Sequence, residues 1–148
     1  MTRKPLLLSL ATLAALVGAI QLVPYRVENP PVRAEPAWDS PQTRILAERA
    51  CFDCHSNQVK VPWYGHVAPA AWLVRNHVDE GRSKLNFSET DRPQEEAEEA
   101  GEVVTEGEMP PAYYLALHPE ARLTLEERSQ LVAGLTATLG GGHDGDDE

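Results

Sequence analysis

Cysteine, methionine and basic residues are all scarce in this chain, and each shortage narrows the class of protein. The 148 residues include two cysteines, too few for the disulfide framework of a small secreted domain. Lysine and arginine number 13 against 23 aspartates and glutamates, which gives a formal net charge of −10. Because phosphate backbones are bound by basic surfaces, this balance argues against a nucleic-acid partner. An acidic surface suits a protein partner with a basic docking patch.

Charged residues are also absent from residues 6–23, which are almost purely apolar. As a helix this stretch would span roughly 27 Å, about the thickness of the hydrocarbon core of a bilayer. Arg3 and Lys4 precede it, and basic residues stay on the cytoplasmic side, so the rest of the chain is predicted to be exported. We predict that residues 1–23 form a signal anchor or transmembrane helix. A signal peptide cleaved near residues 17–19 is the alternative.

Prolines occupy four positions of the next segment, residues 24–40. Proline at this density prevents a helix and favours the extended polyproline II conformation. At about 3.1 Å per residue, such a segment would reach roughly 50 Å. We therefore predict a proline-rich linker that lets the following domain move near the membrane.

Helical patterns fill the remaining chain without a competing strand pattern, which predicts an all-α domain over residues 41–139. Ser40 before Pro41 is a helix start, and Thr124 with Glu127 forms a capping box at the start of the last helix. The predicted helices cover residues 41–50, 69–82, 92–106 and 125–139, with a short helical turn at 111–117. Ser88 is the predicted cap of the third helix. Residues 140–148 are predicted to be a disordered acidic tail.

Both cysteines belong to one short run, CFDCH at residues 51–55. This run matches the attachment signature of c-type haem. Residues three apart share one face of a helical turn, so both thiols can reach the two vinyl groups of one porphyrin. The next residue, His55, can then place its imidazole at the iron. We predict one covalent haem c held by Cys51, Cys54 and His55, with His55 as an iron ligand.

Two other interpretations of paired cysteines fit less well. A zinc site needs two further ligands, and there is no third cysteine. His66 and His77 would have to complete it, but their spacing is not that of a zinc finger. A thioredoxin-like redox disulfide expects a βαβ context, which the pattern does not contain.

A second axial ligand is available in Met109, because the other methionine, Met1, stands at the start of the chain. Met109 begins a Met-Pro-Pro run whose prolines restrict the backbone. His77 and His118 are rival ligands. Ligation by histidine and methionine raises the reduction potential of haem, and two strong ligands close the iron to small molecules. This ligand pair predicts an electron carrier and not an enzyme.

The surroundings of the site can also be predicted from composition. The N–H of the second ring nitrogen of His55 should donate a hydrogen bond to a backbone carbonyl, for which Pro62 and Pro69 are candidates. The candidate walls of the pocket are three aromatic residues: Trp63, Tyr64 and Trp72.

The ordered series of motifs resembles the small bacterial haem-binding domain proteins, a monohaem cytochrome c-like family. The matching runs are Asn29 to Val32, Cys51 to Asn57, Pro62 to Tyr64, Ala68-Pro69, Trp72 to Val74, Gly81-Arg82, Leu85 to Ser88, Gly107 to Pro111, Tyr114 and His118-Pro119. The similarity covers roughly residues 20–135. It implies a cytochrome c-like helical fold, covalent haem and a membrane anchor, but no defined reaction.

The predicted function is therefore electron transfer by a monohaem cytochrome held at the bacterial inner membrane. Its haem domain would face the periplasm and exchange electrons with redox proteins there; a soluble periplasmic protein is the alternative location. The alternative function is a haem-based sensor or peroxidase-like enzyme. In that case Met109 would be displaced from the iron, and Glu106 or Glu108 would lie beside the distal pocket.

Overall fold

The structure, a computed structural model, describes residues 3–140. Of the acidic tail predicted at 140–148, residues 141–148 lie outside the described residues. Within this range the regular elements are helical, and one isolated parallel bridge joins Ala34 to Glu89. The predicted all-α class is confirmed. The helices are α1 (Arg3–Ile20), α2 (Pro41–Ala50), α3 (Phe52–His55), α4 (Ala70–Lys84), α5 (Ala100–Glu106), α6 (Ala112–Leu117) and α7 (Leu125–Leu139), with 3-10 helices at Trp63–His66 and Pro119–Ala121.

Helix α1 exposes most of its apolar side chains. None of the helices within the described range combines the length and the apolar character needed to cross a membrane. The structure thus gives no support to the transmembrane helix predicted within residues 1–23. Gln21 follows the helix and exchanges two hydrogen bonds with the backbone of Ala68, at 3.1 and 2.9 Å. These bonds fix the end of α1 against the rest of the chain.

Helices α2 and α7 begin where their capping residues predict. The Ser40 hydroxyl accepts a hydrogen bond from the Thr43 amide at 3.2 Å. Thr124 and Glu127 form a complete capping box, in which each side chain accepts from the backbone amide of the other residue. The two helices pack together, and their inner faces supply the centre of the core: Leu46, Ala47, Leu131 and Leu135, each at most 2% exposed. Helices α4 and α6 also lie within two residues of their predicted bounds.

Residues 24–40 are extended, as their prolines require, but they pack along the domain and form a strap. Arg82 of α4 donates to the Glu28 carbonyl at 2.9 Å. Further along, the Trp38 ring lies against Phe87, with centroids 5.2 Å apart. The free linker predicted here is therefore corrected: the backbone of the strap finds hydrogen-bond donors on the domain, and its tryptophan finds an apolar site there.

A buried network of three polar side chains joins the strap to the region after the CFDCH motif. The backbone amide of Asn57 donates to Ser88 Oγ at 2.9 Å, and the backbone amide of Ser88 donates to Asn86 Oδ1 at 2.9 Å. The side-chain Nδ2 of Asn86 donates to Asn57 Oδ1 at 3.0 Å. The Ser88 carbonyl accepts from the backbone amides of Arg33 and Ala34 in the strap. Each buried group is satisfied, as burial demands. Ser88 is therefore not the helix cap that was predicted, because its hydroxyl is used in this network.

The third predicted helix is shorter than expected. It was predicted over residues 92–106, whereas α5 covers only Ala100–Glu106. Four glutamates occupy positions 95, 96, 98 and 99, where helical geometry would place like charges three and four residues apart. Such pairs destabilise a helix. The helix therefore forms only where Ala100 and Val104 can bury apolar surface in the core, against α7.

Candidate haem site

A cavity of about 230 Å³ lies between the α2–α3 turn, α4, α5 and the loop before α6. Cys51, Cys54, His55 and Met109 all line it, so the fold brings together the four residues predicted to form the site. Much of the wall is apolar and includes Leu85, Phe87, Val103, Val104 and Leu135. The two sides of the cavity thus come from parts of the chain more than fifty residues apart.

The two cysteines are placed by a break between α2 and α3. Cys51 ends α2, where its amide donates to the Ala47 carbonyl at 2.8 Å, and its own carbonyl accepts from the amides of Cys54 and His55 at 3.1 and 2.9 Å. Phe52 is 2% exposed and anchors this single turn in the core. The turn therefore presents both sulfurs and the imidazole to the cavity.

The imidazole of His55 is oriented by a backbone carbonyl. Its Nδ1 lies 3.0 Å from the Leu85 carbonyl oxygen, directly after α4. Pro62 and Pro69, the predicted candidates, do not provide this acceptor. A ring whose Nδ1–H donates to a carbonyl leaves Nε2 as the free lone pair for a metal. Burial lowers the pKa of His55, which favours the neutral imidazole that can act as a ligand.

Both cysteines are free thiols. Burial raises the pKa of Cys51 to about 12, and the neighbouring Cys54 adds to the effect. Burial also raises the pKa of Cys54 to about 11; the charge of Asp53 acts in the same direction and that of Arg82 opposes it. At neutral pH both sulfurs therefore keep their protons.

Met109 is placed by the turn that ends α5. Gly107 adopts the left-handed conformation, with φ 80°, which glycine reaches without steric cost. The amides of Glu108 and Met109 then both donate to the Val103 carbonyl, at 3.0 and 3.1 Å. The chain is folded back over the last turn of α5, so the half-buried Met109 reaches the cavity wall.

Of the two rival ligands, only His77 lines the cavity together with Met109. His118 does not line the cavity, and both of its ring nitrogens are engaged: Nε2 lies 2.8 Å from the Tyr64 hydroxyl and Nδ1 lies 3.1 Å from Glu120. His77 does line the cavity, with its ring 5.3 Å from that of Tyr113. Among the described residues no group of three or more His, Cys, Asp or Glu side chains could hold a metal ion. The zinc interpretation therefore gains no support.

The aromatic walls of the cavity are not those predicted. Trp63 is 81% exposed, and neither it nor Tyr64 nor Trp72 lines the cavity. The walls are formed by three other rings: Phe87, Tyr113 and Tyr114. Two of these residues stand in runs that carry the family resemblance, the LNFS run and the single tyrosine at 114. Their position in those runs could have identified Phe87 and Tyr114 as wall residues, whereas the composition of the chain could not.

Charges at the cavity are mostly negative. The acidic residues that line it are Asp53, Glu80, Glu96, Glu99 and Glu108. The one lysine among the lining residues, Lys84, is paired with Glu96 at 3.1 Å. The potential around the site therefore favours cationic groups on an approaching molecule.

Helix α4 crosses the α2–α3 turn so closely that only glycine fits at residue 81. A Cβ placed on Gly81 would lie 2.7 Å from the carbonyl oxygen of Cys54, which is backbone and cannot turn away. We expect Gly81→Ala to lower the free energy of unfolding by about 1–3 kcal/mol, the usual cost of overpacking. Denaturant titration measures this, and the haem content of the purified protein should fall with it. Ser83→Ala, an exposed position of the same helix, is the control; equal behaviour of the two variants would contradict the expectation.

The donor set fits a haem. Two protonated thiols and a neutral imidazole lie on one turn, a thioether lies on a separate loop, and apolar side chains line the space they share.

The family model described as the haem-binding domain matches residues 15–137. This range begins in α1 and ends in α7, so it includes the strap, the attachment motif and the Met109 loop. Among curated proteins and solved structures, none gives a match.

Proposed function

Because this chain belongs to the haem-binding domain family, we propose that it is a c-type cytochrome that carries one covalently bound haem and transfers electrons. The observation that carries the proposal is the shared cavity of Cys51, Cys54, His55 and Met109. Each of these residues has one chemical role in it, and none is a general acid or base. The protein is accordingly proposed to be an electron carrier and not an enzyme.

The two thiols make the covalent attachment. Each S–H would add across one vinyl C=C bond, with sulfur bonding to one carbon and hydrogen to the other, so no oxidant or reductant would be consumed. Their spacing on the α2–α3 turn sets the distance between the two thioethers. The bound haem supplies one-electron chemistry between ferric and ferrous iron.

Two residues, His55 and Met109, would hold the iron and tune that chemistry. His55 would ligate through Nε2, since its Nδ1 is held by Leu85. Met109 would ligate through sulfur, which favours the ferrous state and raises the reduction potential. With both side chains bound to it, the iron would be closed to exogenous ligands.

We propose that this electron transfer takes place in the bacterial periplasm, at the inner membrane. Arg3 and Lys4 at the start of α1, with the apolar residues that follow them, would act as an export signal, whether or not the segment is retained after export. In that compartment the acidic residues around the cavity favour redox partners that present a basic face.

Spectra of the purified, haem-loaded protein test the proposal. We expect the pigment to stay with the polypeptide through acid–organic extraction. The oxidised protein should show the weak far-red band of sulfur-to-iron charge transfer, and the reduced protein should bind carbon monoxide slowly. Loss of pigment on extraction would contradict covalent attachment, and a high-spin spectrum without the far-red band would contradict ligation by Met109.

A sensor or peroxidase-like enzyme is the second candidate, and one observation favours it. Glu108, next to Met109, lines the cavity, whereas Glu106 does not. A carboxylate in that position could assist peroxide chemistry if the methionine left the iron. Rapid carbon monoxide binding together with peroxide turnover would favour this candidate over the electron carrier.

A further inference from the structure

The Met109 loop and the attachment motif lie on separate parts of the chain. Helix α5 holds the start of the loop, because it packs against α7, which in turn packs against α2; the end of the loop continues into α6 and has no such support. Helix α6 follows the loop directly, and among the described elements its backbone lies close only to the 3-10 helix Pro119–Ala121. Neither of these elements is part of the α2–α3 turn. The position of α6 relative to α3 therefore depends on side-chain contacts.

One hydrogen bond connects the two sides directly. The Tyr114 hydroxyl of α6 donates to Asp53 Oδ2 at 2.9 Å. Asp53 stands between the two cysteines of the attachment motif, and its other oxygen, Oδ1, accepts from the Lys60 amide at 3.0 Å. The carboxylate is thus held by two donors, and a bond to an ionised acceptor is among the stronger hydrogen bonds.

The ring of Tyr114 is itself fixed in place. It stacks on the ring of His118, with centroids 4.2 Å apart and planes inclined by 11°. His118 is 8% exposed and lies 2.8 Å from the Tyr64 hydroxyl. The phenol therefore has little freedom to turn away from Asp53.

We infer that the Tyr114–Asp53 hydrogen bond is a clasp that positions Met109 as the axial ligand of the haem. This inference rests on the proposed function, since it concerns how the second ligand is held. Two prolines, Pro110 and Pro111, join Met109 to α6. Because proline restricts the backbone, a displacement of α6 would also displace Met109. Tyr114 is a positioning residue, because it acts on the iron through Met109.

Tyr114→Phe tests the clasp in the full-length, haem-loaded protein. The variant keeps the ring and its stacking and removes only the donor. Imidazole, added to the ferric protein, competes with Met109 for the iron. We expect its affinity to rise about tenfold, the factor that corresponds to losing a hydrogen bond to a charged acceptor. The far-red band should weaken, and the reduction potential should fall.

Tyr25→Phe is the matched control. Tyr25 does not line the cavity, and its hydroxyl donates to Asn76 Oδ1 at 2.6 Å, so this variant also loses one phenol hydrogen bond. We expect the imidazole affinity of this variant to match that of the wild type. The free energy of unfolding, measured for both variants, shows whether any change in imidazole affinity merely follows stability.

Asp53→Ala removes the acceptor and tests the same bond from the other side. Loss of its negative charge would by itself raise the reduction potential, so imidazole affinity is the deciding measurement here. In the double variant with Tyr114→Phe, the two effects should not add, since both remove one interaction.

The outcomes separate the clasp from the function on which it rests. If the wild type shows the far-red band and Tyr114→Phe binds imidazole like Tyr25→Phe, the clasp is overturned and the electron carrier stands. Additive effects in the double variant would also overturn the clasp. If the wild type lacks the far-red band, ligation by Met109 fails, and the clasp fails with it.

Discussion

The double variant Cys51→Ala with Cys54→Ala is expected to retain no covalently bound pigment and to lose cooperative folding. Haem buries several hundred square ångströms of apolar surface, worth on the order of 10 kcal/mol at about 25 cal/mol per Å². That is comparable with the whole stability of a small domain, roughly 5–15 kcal/mol. The cavity is lined by residues of the hydrophobic core, including Phe87 and Leu135, so bound haem would extend that core. Acid–organic extraction and thermal unfolding followed by near-UV circular dichroism measure both effects.

The single variants Cys51→Ala and Cys54→Ala serve as controls, because each keeps one thiol for attachment. We expect both to retain haem through one thioether and to unfold cooperatively at a lower temperature than the wild type. A cooperative thermal transition in the haem-free double variant would show that the domain folds without its cofactor.

Met109→Leu is expected to abolish the far-red band while the fold is preserved. Leucine matches methionine closely in volume, and such exchanges usually cost less than about 1.5 kcal/mol. The reduction potential should fall by a substantial fraction of the roughly 0.8 V range over which axial ligands set haem potentials. Carbon monoxide should bind the reduced variant quickly. Spectroelectrochemical titration and rapid-mixing absorbance measure the two quantities.

His77→Ala is the matched control for the methionine variant, because His77 also lines the cavity. We expect the far-red band and the potential of this variant to resemble those of the wild type. If instead the band survives in Met109→Leu, sulfur from this residue is not the source of the band, and the assignment of the second ligand is wrong.

The helices that could be predicted are those whose signals are local. Ser40 with Pro41, and Thr124 with Glu127, satisfy backbone groups within one turn, so their effect can be read from neighbouring residues alone. The helix predicted over residues 92–106 began too early, because the helical pattern of the sequence does not account for repulsion among four neighbouring carboxylates.

Contacts between distant segments could not be predicted in the same way. The prolines of residues 24–40 indicate an extended backbone but not the surface on which it lies. The acceptor for His55 is a backbone carbonyl, that of Leu85, and every residue carries one, so the sequence holds no mark of it. Tertiary packing decided both features.

The candidate site shows the same division. Cys51, Cys54 and His55 are close in the chain, and a single turn suffices to bring them together. Met109 could be proposed because methionine is so rare here. The cavity walls depend on how α4, α5 and α6 approach one another, and aromatic residues near the motif, such as Trp63, turned out to face solvent.

The strap determines where a shortened recombinant form of the protein can safely begin. A form starting at residue 41 would look complete by its helices, yet it would lack Trp38 and uncover Phe87 and Phe52, both at most 2% exposed in the whole chain. We expect this truncated form to aggregate before it binds haem, because the uncovered apolar side chains would be exposed to water. Recombinant forms that begin at or before residue 24 keep this apolar cover.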